Sequence, residues 1–188
     1  MNVIAGAFFV DRSSMPQPPN IPIEQIVKQL GRYPLDAFAF VQECIGAASE
    51  RVHGPLNSDQ RVVSQWMLQN EFGPEDVFER ASEGDLPLDI AAALDRLGGV
   101  EEMNRHVTGQ QLCWTIRDVA LERWGLLARG VLAQWHITST EDIGAIIFAL
   151  VEHGWLQKQP TDSIEDFNHV FGFAEAFDKH YRIGSKSD

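Results

Sequence analysis

The sequence predicts a mainly α-helical protein, a compact multi-helix domain with at most a small β element, and three observations carry that prediction. The first is the stretch Ser139 to Gly154, STEDIGAIIFALVEHG, where Ile143, Ile146, Ile147, Leu150 and Val151 recur at i, i+3, i+4, i+7 and i+8. That spacing puts continuous hydrocarbon on one side of a 3.6-residue helix, and Phe148 widens the stripe. The second is punctuation: Gly31, Gly54-Pro55, Gly73-Pro74, Gly84, Gly98-Gly99 and Gly125 cut the chain into helix-length pieces. The third is bulk. A chain of 188 residues that is 44% hydrophobic, with five Trp and eleven Phe, can fill one substantial core, whereas two full domains would be cramped.

Taken in order, residues 1–20 form an apolar arm, VIAGAFFV, and a linker, SSMPQPPN, whose three prolines forbid regular helix. The arm is too short to span a bilayer and lacks the basic region of a signal peptide. Its content of Val, Ile and Phe suits a strand, and an isolated apolar strand needs an edge or a groove. The linker reaches about 25 Å at roughly 3.1 Å per residue. Ile4, Phe8 and Phe9 are therefore the expected partner-binding residues, in contact with another protein or a second copy, with docking on the arm's own domain as the plainer alternative.

Residues 21–183 read as a single helical domain. A short helix carries Ile23, Ile26, Val27 and Leu30 up to Gly31, and a longer one starts at Tyr33-Pro34 with Phe38, Val41, Ile45, Ala48 and Val52 as its buried seam. Residues 57–104 are an acidic helical insertion: eleven acidic residues against three arginines give −8, two-thirds of the whole charge. Helices are expected over Val62 to Phe72, Pro74 to Ala81 and Pro87 to Leu97. The bland meaning of such a surface is solubility; the sharper one is a dock for a basic partner. Thr108 and Gln111 have capping-box spacing at the head of the next helix, whose buried face is Leu112, Cys113, Ile116, Val119, Ala120 and Trp124. Gly125 ends it, Leu126 to Trp135 makes a further short helix, and His136-Ile137-Thr138 turns into the Ser139 helix. There Ser139 or Thr140 caps the start, Glu141 and Asp142 complement the dipole from the surface, and Gly154 is the stop. Trp155 to Lys158 leaves in extended fashion. Ile164 to Tyr181, rich in Phe, fits either a strand and a helix or one helix broken at Gly172. Residues 184–188 are a polar, frayed tail.

The three-helix run before an extended segment also reads as a winged-helix module, with the Ser139 helix for recognition. Charge opposes nucleic acid: no Lys or Arg lies between Arg129 and Lys158, and the whole chain carries −12. The same charge disfavours an anionic membrane surface. The two cysteines, Cys44 and Cys113, sit inside apolar patterns without a neighbouring base, as reduced core thiols of a cytoplasmic protein do. Glu50-Arg-Val-His53 and Asp166-Phe-Asn-His169 have the spacing of di-iron bundle ligands, with Glu43 and Glu152 as the available further carboxylates. His53 beside Gly54-Pro55 is badly placed for that role, and with six His and 27 acidic residues such pairs arise by chance.

YPLDAFAFVQE at Tyr33 to Glu43 and, between His106 and Phe177, HVTGQQL, the segment Ala120 to Gly125, WHITSTEDIGAIIFALVEHG and EDFNHVFGFAEAF resemble a family of small uncharacterised bacterial proteins. That family belongs mainly to planctomycete and verrucomicrobial genomes. The resemblance spans the chain except the arm and residues 57–104, where the family has a shorter connection, and it implies no activity. The expected function is that of a non-catalytic protein-interaction protein, an adaptor or accessory subunit, without cofactor, metal or catalytic residues. The alternatives are a metal-dependent helical-bundle enzyme and, more weakly, a winged-helix regulator.

Overall fold

A computed structural model describes residues 21–178. They form helices α1 (Ile23–Leu30), α2 (Leu35–His53), α3 (Ser58–Asn70), α4 (Pro74–Glu83), α5 (Leu88–Leu97), α6 (Gly109–Trp124), α7 (Ala128–Gln134), α8 (Thr140–Glu152) and α9 (Phe173–Asp178). Short 3-10 turns lie at Val100–Met103, Gly125–Leu127 and Ile164–Phe167. The mainly α class is what the sequence predicts. Among the described residues there is no strand, so Trp155 to Lys158 pairs into no wing, and Ile164 to Asp178 is a 3-10 turn and a helix rather than a strand and a helix.

Helix α8 is the centre. Ile143, Ile146, Ile147 and Leu150 are buried against α1, α2, α6 and the Ile164–Phe167 turn. Gly154 takes a left-handed φ of 74°, and the Trp155 N–H bonds back to the Leu150 carbonyl at 2.8 Å, which closes the helix end. The chain then returns along the core: the Trp155 indole N–H donates to the Ile21 carbonyl at 2.9 Å, and Leu156 is buried. Phe167 fits a slot between α6 and α8 that only glycine leaves open. A Cβ on Gly144 would lie 2.8 Å from the Phe167 Cβ, and one on Gly109 would lie 2.9 Å from its ring.

The acidic insertion has its own interior. Val63, Met67, Val77, Ile90, Ala93, Leu94, Val100 and Met103 form a cluster separate from the main core, and α3, α4 and α5 pack chiefly on one another and on the Val100–Met103 turn. Asn57 and Gln60 form a capping box that sets the start of α3 ahead of the expected Val62. The base of the insertion is closed. Arg105, 7% exposed, donates to the Ser49 hydroxyl at 3.2 Å, to the Ser49 carbonyl at 3.3 Å and to the Gly54 carbonyl, and so neutralises the carbonyl end of α2. His53 Nε2 meets the His106 carbonyl at 2.8 Å. Entry and exit of the insertion are thus tied together. Val52, expected in the α2 seam, is exposed, because α2 reaches this base with its last turn past the main core.

Candidate interaction surface

Several side chains of chemical interest on the main body are committed to the fold. Asp142, 3% exposed, is a hub rather than a surface charge. Its Oδ1 accepts from the Tyr33 hydroxyl at 2.9 Å and pairs with Arg32 at 2.7 Å. Its Oδ2 accepts the backbone N–H groups of Thr138 at 2.8 Å and Ser139 at 3.0 Å. Burial alone would raise this carboxyl, but those donors outweigh it and hold it below the ordinary carboxylate range. Glu141 likewise faces the protein, accepting the His169 N–H at 3.0 Å, so the first turn of α8 anchors the loop before α9.

Burial pushes the thiols of Cys44 and Cys113 up to about 12, with Glu43 and Glu141 adding to the shift, so both are inert core residues. Four of the residues considered as metal ligands do other work. Glu43 pairs with Arg123, His53 closes the insertion base, Asp166 accepts the Ser163 N–H at 2.8 Å, and His169 pairs with Glu141 at 3.1 Å. Among the described residues no group of three or more His, Cys, Asp or Glu is placed to hold a metal. Helix α8, the recognition helix of a winged-helix reading, is buried along its length. No helix of the described residues is long and apolar enough to cross a membrane.

Two concavities stand out among the described residues. One, between α6, α8 and the Leu156–Phe167 return, has about 50 Å³ and is lined by Ile45, Leu112, Ile147, Phe148 and Phe167. That is a third of the roughly 150 Å³ that a benzene-sized guest occupies, so this is a packing gap. The other is an open groove of about 480 Å³ on the insertion, between the end of α4, α5 and the Gly98-Gly99 corner. Leu86, Leu88, Ala91, Leu94 and Val100 give it an apolar lining, with Asp95 at the edge. Its shape follows from local sequence. Gly84 and Gly98 end α4 and α5 in left-handed conformations, φ 72° and 97°, and Gly99 follows at φ 130°, so both helices stop short and leave the space between them unfilled. Leu88 is 91% exposed, the largest exposure of any large apolar side chain described.

Asp95 lines the groove, and two further carboxylates lie at its Gly98-Gly99 corner. A Cβ on Gly99 would lie 2.6 Å from Glu101 Oε2, and one on Gly98 would lie 3.9 Å from Glu102 Cγ, so both side chains lean over the corner. In the sequence, Glu83 precedes Gly84 and Asp89 follows Leu88, two residues of the groove lining. The cations of the insertion are already engaged: Arg80 with Asp85 at 2.7 Å, Arg96 with Asp59 at 2.6 Å, and Arg61 with the Leu56 carbonyl at 2.9 Å. The sequence-expected partner-binding residues Ile4, Phe8 and Phe9 lie outside the described residues. Comparisons with protein-family models, curated proteins and solved structures find no match.

Proposed function

We propose that this is a non-catalytic protein-interaction protein, an adaptor or accessory subunit of a larger assembly, that docks through the groove on its acidic insertion. The observation that carries the reading is Leu88, 91% exposed at an apolar groove on a subdomain with its own core and a closed base. An exposed leucine alone is ordinary; one set in a concave apolar surface rimmed by charge is the usual form of a docking site. Every residue given as lining that surface belongs to the insertion, and α8 contributes none, so in this reading a partner binds without disturbing α8. The N-terminal arm, through Ile4, Phe8 and Phe9, supplies a second contact in this proposal.

The test is affinity purification of the tagged full chain from its native cells beside Leu88→Gln, with quantification of what co-purifies. Leu88 contributes little to the core, so the variant should keep the wild-type thermal midpoint. A partner recovered with wild type and lost from Leu88→Gln is the expected result. Identical recovery from both proteins would end the proposal.

A further inference from the structure

We infer that the groove receives a cationic amphipathic helix of a partner protein, with its apolar side chains on Leu86, Leu88 and Leu94 and its Lys or Arg side chains against Glu83, Glu101 and Glu102. The inference rests on the reading of the groove as a docking site and adds the chemistry of the occupant.

Size and lining set the apolar half of the argument. The groove, about 480 Å³ of open space, presents Leu86, Leu88, Ala91, Leu94 and Val100 together, an apolar surface for the i, i+3, i+4, i+7 anchors of a helix. Charge sets the other half. Glu83, Asp89, Glu101 and Glu102 form no ion pair with any described residue, while Arg80 and Arg96 are neutralised in place. An anionic rim without internal counter-charge attracts a cationic segment and speeds its encounter. It repels a second copy, nucleic acid and anionic lipid, and it offers no attraction to an arm whose charges cancel. A second copy brings another −12, nucleic acid and anionic lipid are negative throughout, and the charged side chains of residues 1–20 are Asp11 and Arg12, which cancel.

The probe is a fluorescent peptide of about 18 residues, five helical turns, with Leu on one face and Lys on the other. Two controls replace every Leu by Ser or every Lys by Glu. Fluorescence anisotropy with the full chain should give a Kd at least about tenfold below either control, since both halves of the recognition are needed. Leu88→Gln should weaken the Leu/Lys peptide by about tenfold or more, and Glu101→Gln with Glu102→Gln by a factor that shrinks as salt is added. Equal binding of the Ser control would reduce the effect to general attraction by an acidic protein and overturn the inference. So would an unchanged Kd for Leu88→Gln, which places the peptide elsewhere. A concentration-dependent dimer abolished by Leu88→Gln would make the occupant a second copy. Tighter peptide binding after deletion of residues 1–20 would make it the chain's own arm. Absence of peptide binding refutes the cationic occupant. If Leu88→Gln still loses a co-purifying partner, the groove docks a segment of other chemistry; if it does not, the docking reading fails as well.

Discussion

Asp142 shows how far a single residue's role can depart from what its position in sequence implies. A carboxylate in the first turn of a helix ordinarily faces water and contributes a few tenths of a kcal/mol through the dipole. This one is buried and accepts from Tyr33, Arg32, Thr138 and Ser139, which joins the α1–α2 turn to the head of α8. Asp142→Ala should therefore cost about 2–4 kcal/mol in urea unfolding, because several buried donors lose their acceptor. A loss below about 0.5 kcal/mol would return Asp142 to the surface-charge role. The pH dependence follows in sign. The folded carboxyl lies below its unfolded value near ~3.9, so its contribution is complete above about pH 4 and is lost as pH falls through the folded value. Tyr33 runs the other way: burial first, then Asp142, raise its hydroxyl above the ordinary ~10, so stability declines as pH rises beyond about 10. Asp142→Asn should flatten the acid limb of the stability curve and Tyr33→Phe the alkaline limb. The Ser139-x-x-Asp142 spacing marks Asp142 for a local capping box, but its burial also needs Tyr33, 109 residues away, which no local signal shows.

Among elements, helix positions were well marked because glycine, proline and capping residues act locally. Gly31 ends α1, the Thr108–Gln111 box starts α6 with bonds of 2.9 and 3.3 Å, and Gly154 closes α8. What local signals convey less well is what covers each helix face. In α5, Ile90, Ala93 and Leu94 recur at i, i+3 and i+4 and are buried, and Leu88 lies on the opposite side of the helix, in solvent, as the period requires. That Leu86, Leu88, Ala91 and Val100 come together around one groove depends on packing between elements. The glycines inside helices make the same distinction measurable. Gly46 in α2 has nothing within 4 Å of an added Cβ, so Gly46→Ala should stabilise by about 0.5–1 kcal/mol through helix propensity. Gly144 in α8 would place its Cβ 2.8 Å from buried Phe167. There overpacking, about 1–3 kcal/mol, exceeds the propensity gain, and Gly144→Ala should destabilise. Thermal melts that moved both variants in the same direction would refute the Phe167 slot.

At the scale of the whole molecule, the chain divides its labour between two interiors. The main core spends its buried carboxylate, its thiols and most of its aromatics on holding α8 in place, while the insertion, closed at its base by Arg105 and His53, carries most of the net charge and the open groove. The acidity of residues 57–104 was visible in composition; their separate core and their groove were not, because both depend on how three short helices pack. The most direct measurement is a methyl NMR titration of the full chain with the Leu/Lys peptide. The account predicts shifts at Leu86, Leu88, Ala91, Leu94 and Val100, with Ile147 and Leu150 of α8 unmoved. Shifts spread over the main core, or none in the groove at peptide saturation, would contradict it.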